Sequence, residues 1–354
     1  MNIKINNSIN FSYNKPPLII AEISSNHNGS KKKFIDLINC AYDNGADLVK
    51  IQTYEPQDIT FSKNNSIFFI KKGIWHGKQL WNLYQKAHTP FSWHEEAFKI
   101  AKKRRKIIFS TPFSIRALKF LKKFNPPIYK ISSFEITDLN LINEISKIKK
   151  PIILSTGASN LNDIKNAVNI IKKHHNKIIL LHCVSTYPTP IEGANIRKIN
   201  YLKKNFSNSL IGLSDHSSGI SSSLSATALG VVAIEKHVKL NENSKSEDSK
   251  FSISMKSLKE LSKLSKEVFF SLGTKDYKKK VSKEDKETQI YRRSIYAARD
   301  IKKGEKFTKN NIKTLRPALG ILANNYFKLL GKKSNKNILA ENVIKNSMLK
   351  TKLK

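Results

Sequence analysis

Two histidines each close a short apolar run. Leu210-Ile211-Gly212-Leu213 leads into Ser214-Asp215-His216, and Val231-Val232-Ala233-Ile234 leads into Glu235-Lys236-His237. Two lysines occupy the same kind of place: Asp47-Leu48-Val49 ends at Lys50, and Ile128-Tyr129 ends at Lys130. Hydroxyls do so at Thr111, Ser133, Ser155, Ser185 and Ser214. Two ammonium groups among several hydroxyls suit a small anion carrying both carboxylate and phosphate, because lysine is a point charge and hydroxyls donate to phosphate oxygens. Two imidazoles on neighbouring strand ends, about 5 Å apart, can share one divalent metal ion. Its open positions would make it a Lewis acid. Asp215, Glu235 and Asp248 are nearby acids that can ligate such an ion or orient its ligands. Glu22 and Glu135 are candidates for general acid or base work if their environments tune them. The simpler readings are a structural Lys50–Glu22 ion pair and hydrogen-bonded structural histidines; the repetition at equivalent positions favours a site. Cys183 lies within a strand run and reads as packing. No nucleophile elbow appears.

The elements that must position these groups recur with some regularity. Eight apolar runs end in polar residues, at Glu22, Lys50, Ser110-Thr111, Lys130, Ser155, His182-Cys183, Ser214-Asp215-His216 and Glu235-Lys236-His237. Continuous apolar runs of this length fit strands buried on both faces. Helical stripes fill most gaps. Phe34, Leu37, Ile38 and Ala41 follow Ser30, a candidate N-cap, and Gly45 closes the segment. Trp93, Ala97, Phe98 and Ala101 follow Ser92 in the same way, and further stripes run through Ile164–Ile171 and Leu258–Leu272. Eight strands alternating with helices over about 250 residues match a TIM (β/α)8 barrel, whose active sites sit at the strand C-termini. A doubly wound sheet shows similar repeats, but no strand here leads into G-x-G-x-x-G or a Walker A loop.

Residues 53–88 exceed a normal excursion, and a long insertion at a barrel mouth is usually functional. The first 13 residues alternate enough for a β-hairpin capping the barrel bottom. The expected organisation is a barrel domain over 1–274, a charged linker over 275–290 and a small domain over 291–354 that needs a docking surface.

The chain has 354 residues, with 64 Lys+Arg against 27 Asp+Glu, a formal net charge of +37. Such a charge raises nucleic acid or membrane as partners. The excess is mostly lysine and dispersed, which reads as a solvated coat, so neither partner is expected. An RNA-binding module remains the distant alternative; it would need basic residues clustered with exposed aromatics. Two separated cysteines imply no disulfide framework, no apolar run approaches about 18 residues, and the N-terminus lacks a signal-like apolar stretch. The expected location is cytoplasmic.

Several motifs together resemble the sialic acid synthase family. They are Ala21-Glu22-Ile23-Ser24-Ser25-Asn26-His27-Asn28-Gly29, Lys50-Ile51-Gln52-Thr53-Tyr54, Lys130-Ile131-Ser132-Ser133-Phe134-Glu135 and Leu154-Ser155-Thr156-Gly157. Ser185-Thr186-Tyr187-Pro188-Thr189, Gly212-Leu213-Ser214-Asp215-His216-Ser217 and Ile234-Glu235-Lys236-His237 complete the set, collinear over nearly the whole chain. The resemblance implies condensation of phosphoenolpyruvate with an acetamido sugar to a nine-carbon α-keto acid. It also implies a C-terminal SAF domain (antifreeze-like, a β-clip), a domain-swapped homodimer and a divalent metal, Mn2+ or Mg2+. By motif, phosphoenolpyruvate would meet Lys50, Thr111, Lys130, Ser133, Ser155, Ser185 and Ser214, and His216 and His237 would hold the metal. Gln52, Glu135, Tyr187 and Asp248 would face the sugar, and Arg316 would reach into a partner's active site. Ser185 stands where N-acetylneuraminate synthases carry Asn. With Lys72-Gly73-Ile74-Trp75 and Ser246-Glu247-Asp248-Ser249-Lys250-Phe251-Ser252, this resembles the pseudaminic acid branch, which uses 2,4-diacetamido-2,4,6-trideoxy-L-altrose. The alternative is an N-acetylneuraminate or legionaminate synthase taking a manno-configured sugar.

Overall fold

The computed structural model describes residues 2–273 and 281–353. The chain divides into two compact units, Met1–Gly273 and Thr274–Lys354. Of the expected linker, residues 275–280 lie outside the described residues, and Glu287–Tyr291 form a 3-10 turn.

The first unit opens with an antiparallel hairpin, β1 (Asn2–Lys4) and β2 (Asn10–Ser12). Eight parallel strands follow: β3 (Leu18–Glu22), β4 (Leu48–Thr53), β5 (Ile107–Pro112), β6 (Tyr129–Ile131), β7 (Ile152–Ser155), β8 (Ile178–Cys183), β9 (Leu210–Asp215) and β10 (Ala233–Lys239). Each pairs with the next, and β10 pairs with both β9 and β3, so the sheet closes into the TIM barrel. A short strand, β11 (Ile253–Ser254), adds to the outer end of β10.

Helices surround the barrel: α1 (Lys31–Asp43), α2 (Leu80–Ala87), α3 (Phe91–Lys103), α4 (Ile115–Lys122), α5 (Leu139–Ser146), α6 (Leu161–Lys172), α7 (Lys198–Asn205), α8 (Ser221–Ala228) and α9 (Met255–Ser271). The Ser30 side chain caps α1 by accepting from the Lys33 amide, and Gly45 (φ +92°) lets the chain leave it in the left-handed region. Ser92 does not cap its helix: α3 begins one residue earlier, at Phe91, behind Pro90. Pro90 occupies the cap position and offers no side-chain acceptor to the first-turn amides. The insertion contains α2, which the run-and-gap pattern does not single out.

Side-chain alternation along each strand divides the core in two. Ile19, Val49, Ile108, Leu154, Leu180, Ile211 and Ile234 point outward and pack under the helices. Ile20, Leu48, Phe109, Ile153, Ile179, Leu181 and Ala233 point inward and meet Ile3 and Phe11 of the hairpin, which plugs the lower end. The inward positions above this apolar plug carry the polar groups, because a period of two keeps them on the same face. Among the described residues no helix is long and apolar enough to cross a membrane.

The second unit pairs β12 (Ser294–Ala297) antiparallel with β13 (Ile312–Leu315) around a small core of Ile295, Ile301, Phe307, Ile312, Ile321, Leu329, Ile338 and Ile344. Arg316 follows β13, exposed, before a cis bond to Pro317.

Candidate active site

Inward alternation places Glu22 two residues beyond Ile20, Lys50 beyond Leu48, Thr111 beyond Phe109, Lys130 beyond Ile128 and Ser155 beyond Ile153. Registry then levels them: Glu22 is the cross-strand partner of Lys50, and also of His237, while Glu235 partners Ser214. Both lysines are almost completely buried. Lys50 Nζ lies 2.7 Å from a Glu22 carboxylate oxygen, 3.4 Å from Glu235 Oε1 and 3.5 Å from Thr111 Oγ1. Lys130 Nζ donates to Ser155 Oγ at 2.7 Å and lies 3.7 Å from Glu235. Burial opposes the charge on Lys50, but the Glu22 and Glu235 carboxylates outweigh it and hold its pKa up. Burial lowers that of Lys130. Burial also works against ionisation of Glu235, yet Lys130 and Lys50 hold its carboxyl below the ordinary range.

The imidazoles of His216 and His237 sit beside this floor with ring centroids 5.3 Å apart. His216 Nδ1 lies 3.0 Å from the Val184 carbonyl. His237 Nδ1 is buried without a hydrogen-bond partner, 3.9 Å from Asp248 Oδ2. Burial, then His216 and the lysines, push His237 well below the usual histidine range, which favours the neutral imidazole, whose one unprotonated nitrogen can face a cation. Among the described residues no group of three His, Cys, Asp or Glu side chains forms a ready cage. Two imidazoles, one with an orphaned nitrogen, fit a metal ion that completes its coordination with water and substrate oxygens.

One cavity of about 380 Å3 gathers Lys50, Gln52, Lys130, Ser133, Glu135, Ser155, Tyr187, Ser214, His216, His237 and Asp248. Gln52 Nε2 donates to Glu22 Oε1 at 3.1 Å and to Ser24 Oγ at 3.0 Å. Asp248 accepts from the Ser24 hydroxyl and, at 3.3 Å, from the Ser25 amide. The Tyr187 ring lies 4.4 Å from His216. Glu135 has a buried oxygen without a partner, and burial pushes its carboxyl up to about 7.

Four expected residues stand elsewhere. Glu22 and Thr111 are buried and do not line the cavity; both lie against the Lys50 ammonium, which does. Ser185, half buried, lines an adjoining cavity, 3.9 Å from Cys183 Sγ. Arg316 belongs to the second unit. Asp215, one of the nearby acids, turns away: its odd parity points it out of the barrel, where it pairs with Lys236 at 3.0 Å and accepts from Ser223 of α8.

Two run-end side chains face the site in roles other than those expected of them, Glu235 as an acid beside the imidazoles and Cys183 as packing. Glu235 bridges the lysines. Cys183, taken as packing, lines the cavity with Sγ 3.7 Å from His216 Nδ1. Burial pushes its thiol up, but His216 and Ser133 outweigh that and bring it to about 7. Counting by twos from Leu181 would have turned Cys183 inward; the signal was present.

The barrel and this cavity define a class. Residues 37–277 match the NeuB family and residues 292–350 match the SAF domain. The chain belongs to the NeuB family, as the resemblance to sialic acid synthases implied. It is 41% identical over 330 residues to the pseudaminic acid synthase of Campylobacter jejuni, covering 93% of this chain and 95% of that protein. It is 38% identical over 335 residues to the N,N'-diacetyllegionaminic acid synthase of the same organism, covering 94% and 99%. Among solved structures, the N-acetylneuraminic acid synthetase of Leptospira borgpetersenii superposes with a TM-score of 0.72 at 30% identity, covering 81% of this chain and 95% of that one.

Proposed function

We propose that this protein is a pseudaminic acid synthase, condensing phosphoenolpyruvate with 2,4-diacetamido-2,4,6-trideoxy-L-altrose and water and releasing phosphate. The observation that carries this is the pair of buried ammonium groups, Lys50 and Lys130, on the floor of the cavity that holds both imidazoles. The likeness to the Campylobacter pseudaminic acid synthase supports the choice of sugar.

Lys50 and Lys130 receive the carboxylate and phosphate of phosphoenolpyruvate, with Ser133, Ser155 and Ser214 donating hydroxyls. Thr111 supports Lys50 from behind, and Ser185 meets the anion from the neighbouring cavity. These groups are fixed before substrate arrives, so little reorganisation accompanies the reaction. Gln52, Tyr187 and Asp248 orient the open-chain sugar with its aldehyde carbon toward C3 of the enolpyruvate. A divalent cation, Mn2+ or Mg2+, held by His216 and His237 supplies Lewis-acid polarisation of a carbonyl oxygen.

As the C3–aldehyde bond forms, positive charge appears at C2 and Glu235 faces it. Glu135 takes the proton of the water that adds at C2 and passes it to the new alkoxide; a carboxyl near pH 7 can do both. Glu22 does not reach the cavity and acts through Lys50 instead. Phosphate then leaves with the C–O bonding pair and takes up the proton of the C2 hydroxyl, which becomes the keto group. The active species is a domain-swapped homodimer in which Arg316 of one protomer serves the other's site.

Incubation with phosphoenolpyruvate, Mn2+ and each acetamido sugar, following phosphate release, tests the reading. The L-altro sugar should turn over at least about tenfold faster than manno-configured ones, the ratio of a modest pocket mismatch. Preference for the diacetamido manno sugar would favour legionaminate synthesis.

A further inference from the structure

Beside the charged floor the cavity has an apolar wall, and its aliphatic side chains come from the insertion over 53–88. On α2, Leu80, Leu83, Tyr84 and Ala87 share one face and line the cavity, joined by Ile59 and Ile70. Trp75 lies 5.6 Å from the Tyr187 ring and 6.0 Å from Phe251, so the apolar wall continues to the imidazoles. This segment is pinned. Glu247, whose carboxylate is almost buried, accepts from Lys78 at 2.5 Å and pairs with Lys86 at 2.8 Å, and its backbone carbonyl accepts from Trp75 Nε1 at 3.2 Å. Glu247 immediately precedes Asp248, and Phe251 packs on His237 at 4.8 Å. The clasp therefore holds the apolar wall at a set distance from the reacting end of the site.

The cavity has two chemical ends. An occupant whose aldehyde lies at the imidazoles must present its far end to aliphatic side chains. Leu80, Leu83, Ala87, Ile59 and Ile70 can satisfy no hydroxyl, and of the α2 face residues named only Tyr84, through its phenol, can. We infer that the α2 face, with Leu83 at its centre, is a subsite for methyl groups: the C6 methyl of a 6-deoxy sugar and the methyl of its distal acetamido group. It selects deoxy, N-acylated sugars over hydroxylated ones. This rests on the functional reading above. It adds the property of the substrate that the insertion reads.

The test compares kcat/KM for 2,4-diacetamido-2,4,6-trideoxy-L-altrose with that for its 6-hydroxy counterpart, 2,4-diacetamido-2,4-dideoxy-L-altrose, in the full-length, metal-loaded protein. One methyl-sized apolar contact is worth roughly 10- to 200-fold in discrimination. The wild-type protein should prefer the 6-deoxy sugar by at least about tenfold, expressed in KM. Leu83→Gln should bring that ratio below about threefold while KM for phosphoenolpyruvate stays unchanged, and Leu83→Met, of similar volume, should keep it. Equal use of both sugars by the wild-type protein, or an unaltered ratio in a folded Leu83→Gln protein, would overturn the inference. If Leu83→Gln does not fold, Ala87→Ser on the same face provides the same comparison. Absence of phosphate release with every sugar would instead count against the functional reading.

Discussion

Lys130 has one hydroxyl partner, Ser155, at 2.7 Å, and a carboxylate, Glu235, at 3.7 Å. An incoming phosphate or carboxylate would replace a weak neighbour with a strong one. Charge-assisted hydrogen bonds to buried groups are worth about 1.5–3 kcal/mol, so Lys130→Met should lower kcat/KM for phosphoenolpyruvate by roughly 10- to 150-fold; steady-state kinetics at varied phosphoenolpyruvate would show it. An unchanged value would remove this lysine from the anion site. Glu135 makes a second prediction. Its carboxyl is raised to about 7 by burial. A base must be ionised, so kcat/KM should climb as pH rises toward about 7 and level off above it, and Glu135→Gln should flatten that limb. The linked stability runs the other way. A carboxyl that binds its proton more tightly when folded loses stability as pH rises from the unfolded value toward 7. Glu135→Gln should therefore melt higher than the parent protein at pH 8. For the imidazole pair, a strong chelator should abolish phosphate release and Mn2+ should restore it. Full activity in chelator would exclude a required ion.

At the scale of elements, the connection following β4 carries more than its length shows. Lys78 and Lys86 converge on Glu247 in the connection that follows β10, tying two mouth loops together through one carboxylate. Burial pushes Glu247 up, but the two lysines prevail and hold it below the ordinary carboxylate range. The clasp is thus intact at neutral pH and is lost only as pH falls through that depressed value. Glu247→Gln leaves the shape and removes the charge. The expected outcome is a several-fold rise in KM for the sugar with KM for phosphoenolpyruvate little changed, because the floor lysines belong to different strands. A parallel loss for both substrates would mean that the segment supports the whole site rather than one wall.

At the scale of the molecule, everything depends on closing the sheet where β9 meets β10. Gly212 sits at that seam. A Cβ built there would come within 2.5 Å of Leu181 Cδ2 and 2.8 Å of the Ala233 carbonyl oxygen. The leucine can move, but the backbone oxygen of the neighbouring strand cannot without opening the seam. Overpacking of this kind costs about 1–3 kcal/mol. At about 2–4 °C per kcal/mol for a unit of this size, Gly212→Ala should lower the melting temperature by roughly 2–12 °C in calorimetry. It should also depress activity, since Ser214 and His216 lie just beyond on the same inward face. An unshifted melting temperature would show that the seam can give.

The amino-acid sequence by itself determined the barrel, the level at which its polar strand ends meet, and most of the candidate site. Each strand advertises itself as an apolar run, and alternation carries the inward face from Leu48 to Lys50 or from Ile153 to Ser155 without reference to any distant contact. Tertiary structure decided what lies in front of what. Glu22 and Lys50 are equally inward by alternation, yet the lysine lines the cavity and the carboxylate does not. Asp215 and His216 are neighbours, yet one faces α8 and the other the cavity. The insertion was visible only as an excess of length. Its α2 face and the Trp75–Glu247 contact arise from residues about 170 positions apart in the chain, and no local pattern encodes a separation of that kind.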